Sequence, residues 1–131
     1  SKIRALIKNC HSKLDAPFDG EESITLYADL EAGISGSMSS ALLPEKIAPV
    51  IEYFLNDQKE KAEETYNHIL PLINFENRQC GFRGTKTVMK EGGVIKSDFC
   101  RHPIKPLDEN TKKLLFNFAK KHDLLTYKWG K

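Results

Sequence analysis

Two stretches decide the fold: residues 14–22, LDAPFDGEE, and residues 32–39, AGISGSMS. Each starts with alternating apolar or small side chains and ends in glycine and polar residues, as is typical of a short strand that runs into a loop. Apolar residues at helical spacing precede, separate and follow the two stretches. The order helix, strand, helix, strand, helix predicts parallel strands with helices packed outside them.

Six helices are predicted where apolar residues recur every three or four positions. Pro71 is expected to bend the fourth helix, and Asp108 is expected to cap the sixth. Residues 94–107 are expected to form a linking loop. The helices cover residues 2–12, 24–33, 44–55, 58–73 and 81–91, and the last follows Asp108 and buries Leu114, Leu115, Phe118 and Ala119.

The predicted sheet is too small to stand alone, because two strands cannot form a sheet that covers itself. Residues 1–43 therefore have the pattern of the tail of a larger α/β unit. Such a unit exposes strand edges and the apolar faces of absent neighbours. Self-association of this chain into a homo-oligomer is the expected consequence.

Composition excludes several classes of protein. The 131 residues are 40% hydrophobic and 29% charged, with a net charge of +2, which is too small to indicate a nucleic-acid or anionic-membrane partner. No apolar run approaches the ~20 residues of a membrane span. The three cysteines are far apart, which argues against a disulfide framework and favours a reducing, cytoplasmic setting. No metal-ligand spacing accompanies Cys100 and His102, so no metal or other cofactor is expected.

Four stretches, in order, resemble the dihydrodipicolinate synthase / N-acetylneuraminate lyase family. Residues 17–22, PFDGEE, and 32–39 are similar to its seventh and eighth strands, and residues 84–93, GTKTVMKEGG, look like its late helix with a lysine and a glycine. Residues 101–107, RHPIKPL, match its R-x-P-x-x-P-L connector. Together with residues 75–81, FENRQCG, they look most like the L-2-keto-3-deoxyarabonate dehydratase branch.

The resemblance implies the C-terminal part of a (β/α)8 barrel followed by a helical extension. Residues 1–43 would then hold the last βα units, and residues 44–131 the final barrel helix and the extension. The family uses a lysine on its sixth strand to form a Schiff base with a 2-keto acid, and that lysine is expected upstream of Ser1. No catalytic residue is therefore predicted within the chain, which is expected to be inactive by itself.

One wall of the substrate pocket is expected here, because barrel active sites form at the carboxyl ends of the strands. The resemblance places the backbone of Gly20 and Ser35 near a bound substrate, with Ser35 in a position that is usually aliphatic. Asp19 or Glu22 would orient a hydroxyl or relay a proton, and capping or loop solvation is the alternative for each. The predicted substrate-binding residues are Asp19, Gly20, Glu22, Ser35, Ser37 and Ser39.

Other interpretations remain open at this stage. Arg83, Lys86 and Arg101 are expected to pair with Glu76, Glu91 or Asp98, or to pack, rather than to bind phosphate. A non-enzymatic helical module that binds partners or itself through exposed apolar faces is the alternative to a lyase fragment. An independent enzyme that uses Cys80 or His102 lacks any nucleophile–base signature.

Overall fold

A computed structural model describes residues 2–10, 13–14 and 17–131. The chain divides into two compact units, residues 1–39 with 46–70 and residues 40–45 with 71–131. Within the described part, no helix is long and apolar enough to cross a membrane. In chain order the elements are α1 (Lys2–Cys10), β1 (Phe18–Asp19), α2 (Leu26–Glu31), β2 (Gly36–Ser37), α3 (Pro44–Leu55), α4 (Lys59–Phe75), a π-helical turn (Glu76–Cys80), α5 (Phe82–Glu91), α6 (Glu109–Lys121) and α7 (Leu125–Lys128).

The two predicted strands lie side by side and run parallel. Phe18 is opposite Gly36, and Asp19 is opposite Ser37. The ladder extends at its far end, where the amide of Met38 donates to the carbonyl of Asp19 over 2.8 Å. Their adjacency and direction were predicted correctly, but both strands are shorter than expected. The predicted strand residues 15 and 16 lie outside the described part of the chain.

The first unit buries the apolar faces that the sequence indicates. Leu26 and Leu30 of α2 are 0% and 2% exposed, and Val50 of α3 is fully buried. Helix α2 ends at Glu31, two residues short of the predicted end at Gly33, which has a φ of +104°. The side chains of Phe18 and Met38 are instead 57% and 64% exposed, so the strand pair has apolar groups that the described residues leave uncovered.

The second unit is helical. Helix α4 continues through Pro71 into the π-helical turn, which ends at Gly81 with a φ of +61°. The predicted cap is confirmed, since the Asp108 carboxylate accepts hydrogen bonds from the amides of Asn110 and Thr111. Leu115 is fully buried, as predicted. The predicted burial of Leu114 is wrong, because neighbouring residues of a helix point in different directions, and the Leu114 side chain is 45% exposed.

The final helix α7 was not predicted, and Gly92 allows it to pack closely. A Cβ atom on Gly92 would lie only 1.9 Å from the carbonyl oxygen of Thr126. The carbonyl of Gly92 also accepts a 2.8 Å hydrogen bond from the amide of Gly130. The side chain of Trp129, which follows α7, is 68% exposed.

Candidate functional site

The predicted binding residues surround the carboxyl ends of β1 and β2. Asp19 ends β1 and Ser37 ends β2, and the turn of residues 20–23 follows the first strand directly. The parallel pairing places both strand ends at one edge, as the prediction requires.

The carboxylate of Asp19 accepts hydrogen bonds from the turn of residues 20–23. This residue is 2% exposed, and Oδ1 accepts a 2.9 Å hydrogen bond from the amide of Glu21. Oδ2 accepts hydrogen bonds of 3.1 Å from the amide of Ser23 and from the hydroxyl of Ser37. A buried carboxylate needs such donors, because an unpaired charge away from water is costly. Asp19 thus joins the turn to the end of β2.

Ser23 completes this connection. Its side chain is fully buried, and its Oγ lies 2.7 Å from Oγ of Ser37. The hydroxyl of Tyr66 donates to the carbonyl of Ser23 over 3.1 Å. Burial, with the negative charge of Asp19 adding to it, raises the pKa of Tyr66 to about 12, so its hydroxyl is protonated and acts as a donor at neutral pH.

Ser23 does not cap the helix that follows it. The N-cap of α2 is Thr25, which makes no side-chain cap hydrogen bond. Its hydroxyl donates instead to Oδ2 of Asp29 over 2.6 Å. Glu22 and Ser23 have φ values of +54° and +68°, and this left-handed turn brings Ser23 under Asp19 rather than onto the helix end.

The other four predicted residues have different surroundings. Gly20 and Glu22 are exposed, and a Cβ on Gly20 would meet only the methyl of Met38 at 3.6 Å. Ser39 is half-buried. The hydroxyl oxygen of Ser35 is buried and, among the described residues, has no hydrogen-bond partner. The Ser35 hydroxyl is therefore a buried polar group whose hydrogen bonding the described residues do not satisfy.

The strand ends carry backbone groups, hydroxyls and carboxylates. Over residues 2–10, 13–14 and 17–131, no group of three histidine, cysteine, aspartate or glutamate side chains is placed to hold a metal ion. The cysteine with a shifted pKa is Cys80, where burial raises the pKa to about 11 and keeps the thiol protonated. The arrangement can therefore line a pocket for a polar ligand and position it.

A second polar cluster was missed by sequence reasoning. Glu76 is 3% exposed, and its Oε1 accepts hydrogen bonds from the hydroxyls of Ser40 and Thr85. The same Ser40 oxygen accepts a 3.1 Å hydrogen bond from the amide of Leu42. The sequence did contain a signal for the burial of Glu76. This residue follows Ile69 and Ile73 by seven and three positions, so it lies on the buried face of the helix.

Comparisons with known proteins agree with this geometry. The model of the dihydrodipicolinate synthetase family matches residues 1–122. The chain is 41% identical to the L-2-keto-3-deoxyarabonate dehydratase of Azospirillum brasilense over 130 residues. That alignment covers 99% of this chain but 42% of the dehydratase, so the chain spans less than half the length of this relative.

Solved structures share the fold. Dihydrodipicolinate synthase from Rhodopseudomonas palustris superposes with a TM-score of 0.79 at 23% identity, over 92% of this chain and 41% of that one. The chloride-inhibited enzyme from Acinetobacter baumannii, complexed with pyruvate, also gives 0.79 at 23% identity, over 93% and 42%.

These likenesses confirm the predicted fold class. The pair β1 and β2, with their helices, forms the last two βα units of a (β/α)8 barrel, and a helical extension follows. The predicted likeness to the L-2-keto-3-deoxyarabonate dehydratase branch is confirmed as well. With its family model matched over nearly the whole chain, this protein belongs to the dihydrodipicolinate synthetase family.

Proposed function

We propose that this chain is part of a Schiff-base-forming class I lyase that acts on a 2-keto acid, as a 2-keto-3-deoxy sugar acid dehydratase or aldolase. The observation that carries this proposal is the parallel pairing of two strand ends rich in small and polar residues, in a chain 41% identical to a dehydratase. Small residues there leave room for a polar substrate and expose backbone groups to it.

The chemistry follows from the 2-keto group. A lysine amine outside these 131 residues attacks C2 and expels water, giving a protonated imine. The imine draws electrons from C3, so a base removes a C3 proton and an enamine forms. The enamine then expels the neighbouring hydroxyl, which leaves as water after protonation. In an aldolase the same electron sink accepts the pair from a broken carbon–carbon bond.

The residues of this chain bind and position. Gly20 and Ser35 contribute backbone groups, and the unpartnered Ser35 hydroxyl supports a role in binding a substrate oxygen. The exposed carboxylate of Glu22 would orient a sugar hydroxyl. Asp19 and Ser37 hold the loop that carries Gly20, and Ser39 borders the same edge.

A chimera tests this proposal directly. The segment of the Azospirillum brasilense dehydratase that aligns with this chain is replaced by residues 1–131, and water loss from L-2-keto-3-deoxyarabonate is followed. We expect turnover, and we expect Ser35→Ala to raise KM severalfold while the matched change Ser97→Ala at an exposed position leaves it unchanged. A folded chimera without turnover, alongside an active parent, would refute the proposal and favour the non-enzymatic module.

Further parts of the proposal concern assembly and setting. The exposed side chains of Phe18 and Met38 support self-association of the isolated chain into a homo-oligomer. All three cysteines are free thiols, which supports a cytoplasmic location. A functional division into residues 1–43, the last βα units of the barrel, and residues 44–131, the final barrel helix and the extension, is also proposed. Light scattering that shows a monomer at high concentration would contradict the first of these points.

A further inference from the structure

The second unit contains a cleft that lies apart from the strand ends in sequence and in chemistry. Its volume is about 320 Å³, near the lower end of the range for small-molecule sites. Helices α5 and α6 form two sides, and the loop between them forms the third. Its principal walls are Arg83 and Thr87 from α5, Phe99, Ile104 and Leu107 from the loop, and Lys112 from α6.

The loop over the cleft is held in place by cations of α5. Arg83 donates from Nη1 to the carbonyl of Lys105 over 2.8 Å, and the amine of Lys86 donates to the carbonyl of Phe99. Lys90 forms a 2.7 Å ion pair with Asp98. These three cations recur at helical spacing and fasten three separate points of the loop, so the cleft is a built feature of the fold.

Two cations, Arg83 and Lys112, and two carboxylates, Asp98 and Glu109, line the cleft. Nε and Nη1 of Arg83 are engaged by backbone carbonyls, whereas Nη2 has no hydrogen-bond partner among the described residues. The amine of Lys112 lies 4.0 Å from Glu109, whose side chain is 89% exposed and screened by water. The negative charge of Asp98 is already paired with Lys90, which lowers the pKa of that carboxyl. Arg83 and Lys112 are therefore the charged groups of the cleft that can donate hydrogen bonds to an anion.

The size and the lining of the cleft indicate the kind of ligand that it holds. At about 30 Å³ for each water-sized group, the cleft accommodates roughly ten non-hydrogen atoms. Phe99, Ile104 and Leu107 contribute apolar side chains to the lining. We propose that this cleft binds a small organic monocarboxylate with an apolar body, its carboxylate on Arg83 and Lys112 and its body against the loop. This inference does not depend on the proposed lyase function.

Three probes that share a benzyl group, of which the acid and the amide are isosteric, separate the contributions of charge and shape. Phenylacetate, phenylacetamide and benzylamine are titrated into the ¹⁵N-labelled chain, and amide shifts are followed. We expect phenylacetate to shift amides in residues 98–107 and at the start of α6, and to bind roughly tenfold or more tightly than the amide. Benzylamine is expected not to shift these residues.

A matched pair of variants on α6 supplies the control. Lys112→Gln removes a cation from the cleft, whereas Lys113→Gln removes the exposed neighbouring charge that does not line it. We expect Lys112→Gln to weaken phenylacetate severalfold and Lys113→Gln to leave it unchanged. Equal binding of acid and amide, equal effects of the two variants, shifts confined to other residues, or no shift at millimolar phenylacetate would each overturn the proposal.

Discussion

Asp19→Asn is the most informative change at the strand ends, because it alters charge and donor pattern without altering shape. The native carboxylate accepts three hydrogen bonds at 2% exposure. If the amide oxygen of the new asparagine keeps the hydrogen bond from the Glu21 amide, its NH₂ group faces the N–H of Ser23. Both groups are donors, so no hydrogen bond forms between them. The hydroxyl of Ser37 can rotate to accept, which leaves Ser23 as the main loss.

The magnitude follows from that loss. A hydrogen bond to a charged group contributes ~1.5–3 kcal/mol, and a buried N–H left unsatisfied costs a comparable amount that overlaps with it. We therefore expect Asp19→Asn to destabilise the first unit by about 3 kcal/mol, a large share of the ~5–15 kcal/mol that holds a domain together.

Native-state amide exchange measures this effect within the first unit. Amides of α2 and the amide of Met38 should exchange roughly 100-fold faster in Asp19→Asn, since each ~1.4 kcal/mol is a factor of ten. Asp57→Asn, the same isosteric change at an exposed position, is the control and should have little effect. Equal exchange rates in the two variants would refute the stabilising role of the hydrogen bonds between the Asp19 carboxylate and the turn that follows it.

Three further predictions concern buried groups. Tyr66→Phe should cost about 1 kcal/mol in urea unfolding. It should also flatten the fall in stability between pH 10 and 12, because the folded state keeps a proton that the unfolded state loses there. Cys80 should react with a thiol reagent at pH 8 far more slowly than the other two cysteines, since it is 3% exposed with a pKa of about 11. Gly92→Ala should cost ~1–3 kcal/mol, measured by thermal unfolding, because its Cβ collides with the carbonyl of Thr126, and unchanged stability would contradict that packing.

The sequence predicted the arrangement of elements better than the role of each polar side chain. Helix and strand order indicates parallel pairing, because periodicity records which faces are buried. Whether Asp19 points to a ligand or to its own turn depends on the positive φ values at Glu22 and Ser23, which neither residue type favours. Exposed apolar groups on the strand pair were expected, but the sequence did not indicate that Phe18 is one of them, since an apolar strand residue does not specify what covers it.

The second unit also contains contacts that the sequence did not predict. An acidic residue in an amphipathic helix is normally assigned to the surface, and Glu76 was paired with surface cations for that reason. Its position on the buried face made hydroxyl partners necessary, and Ser40 and Thr85 supply them from distant parts of the sequence. Short α7 depends on Gly92 for its packing, a long-range contact that local propensity does not record.

Covalent trapping is the most direct test of the proposed location of this chain within a Schiff-base lyase. The 131-residue chain and the chimera with the Azospirillum brasilense dehydratase are each treated with pyruvate and borohydride, and the labelled peptides are mapped by mass spectrometry. We predict one reduced adduct in the chimera, on a lysine outside these residues, and none on the chain alone. A stoichiometric adduct on any lysine between Ser1 and Lys131, or no adduct on a folded chimera, would contradict that location.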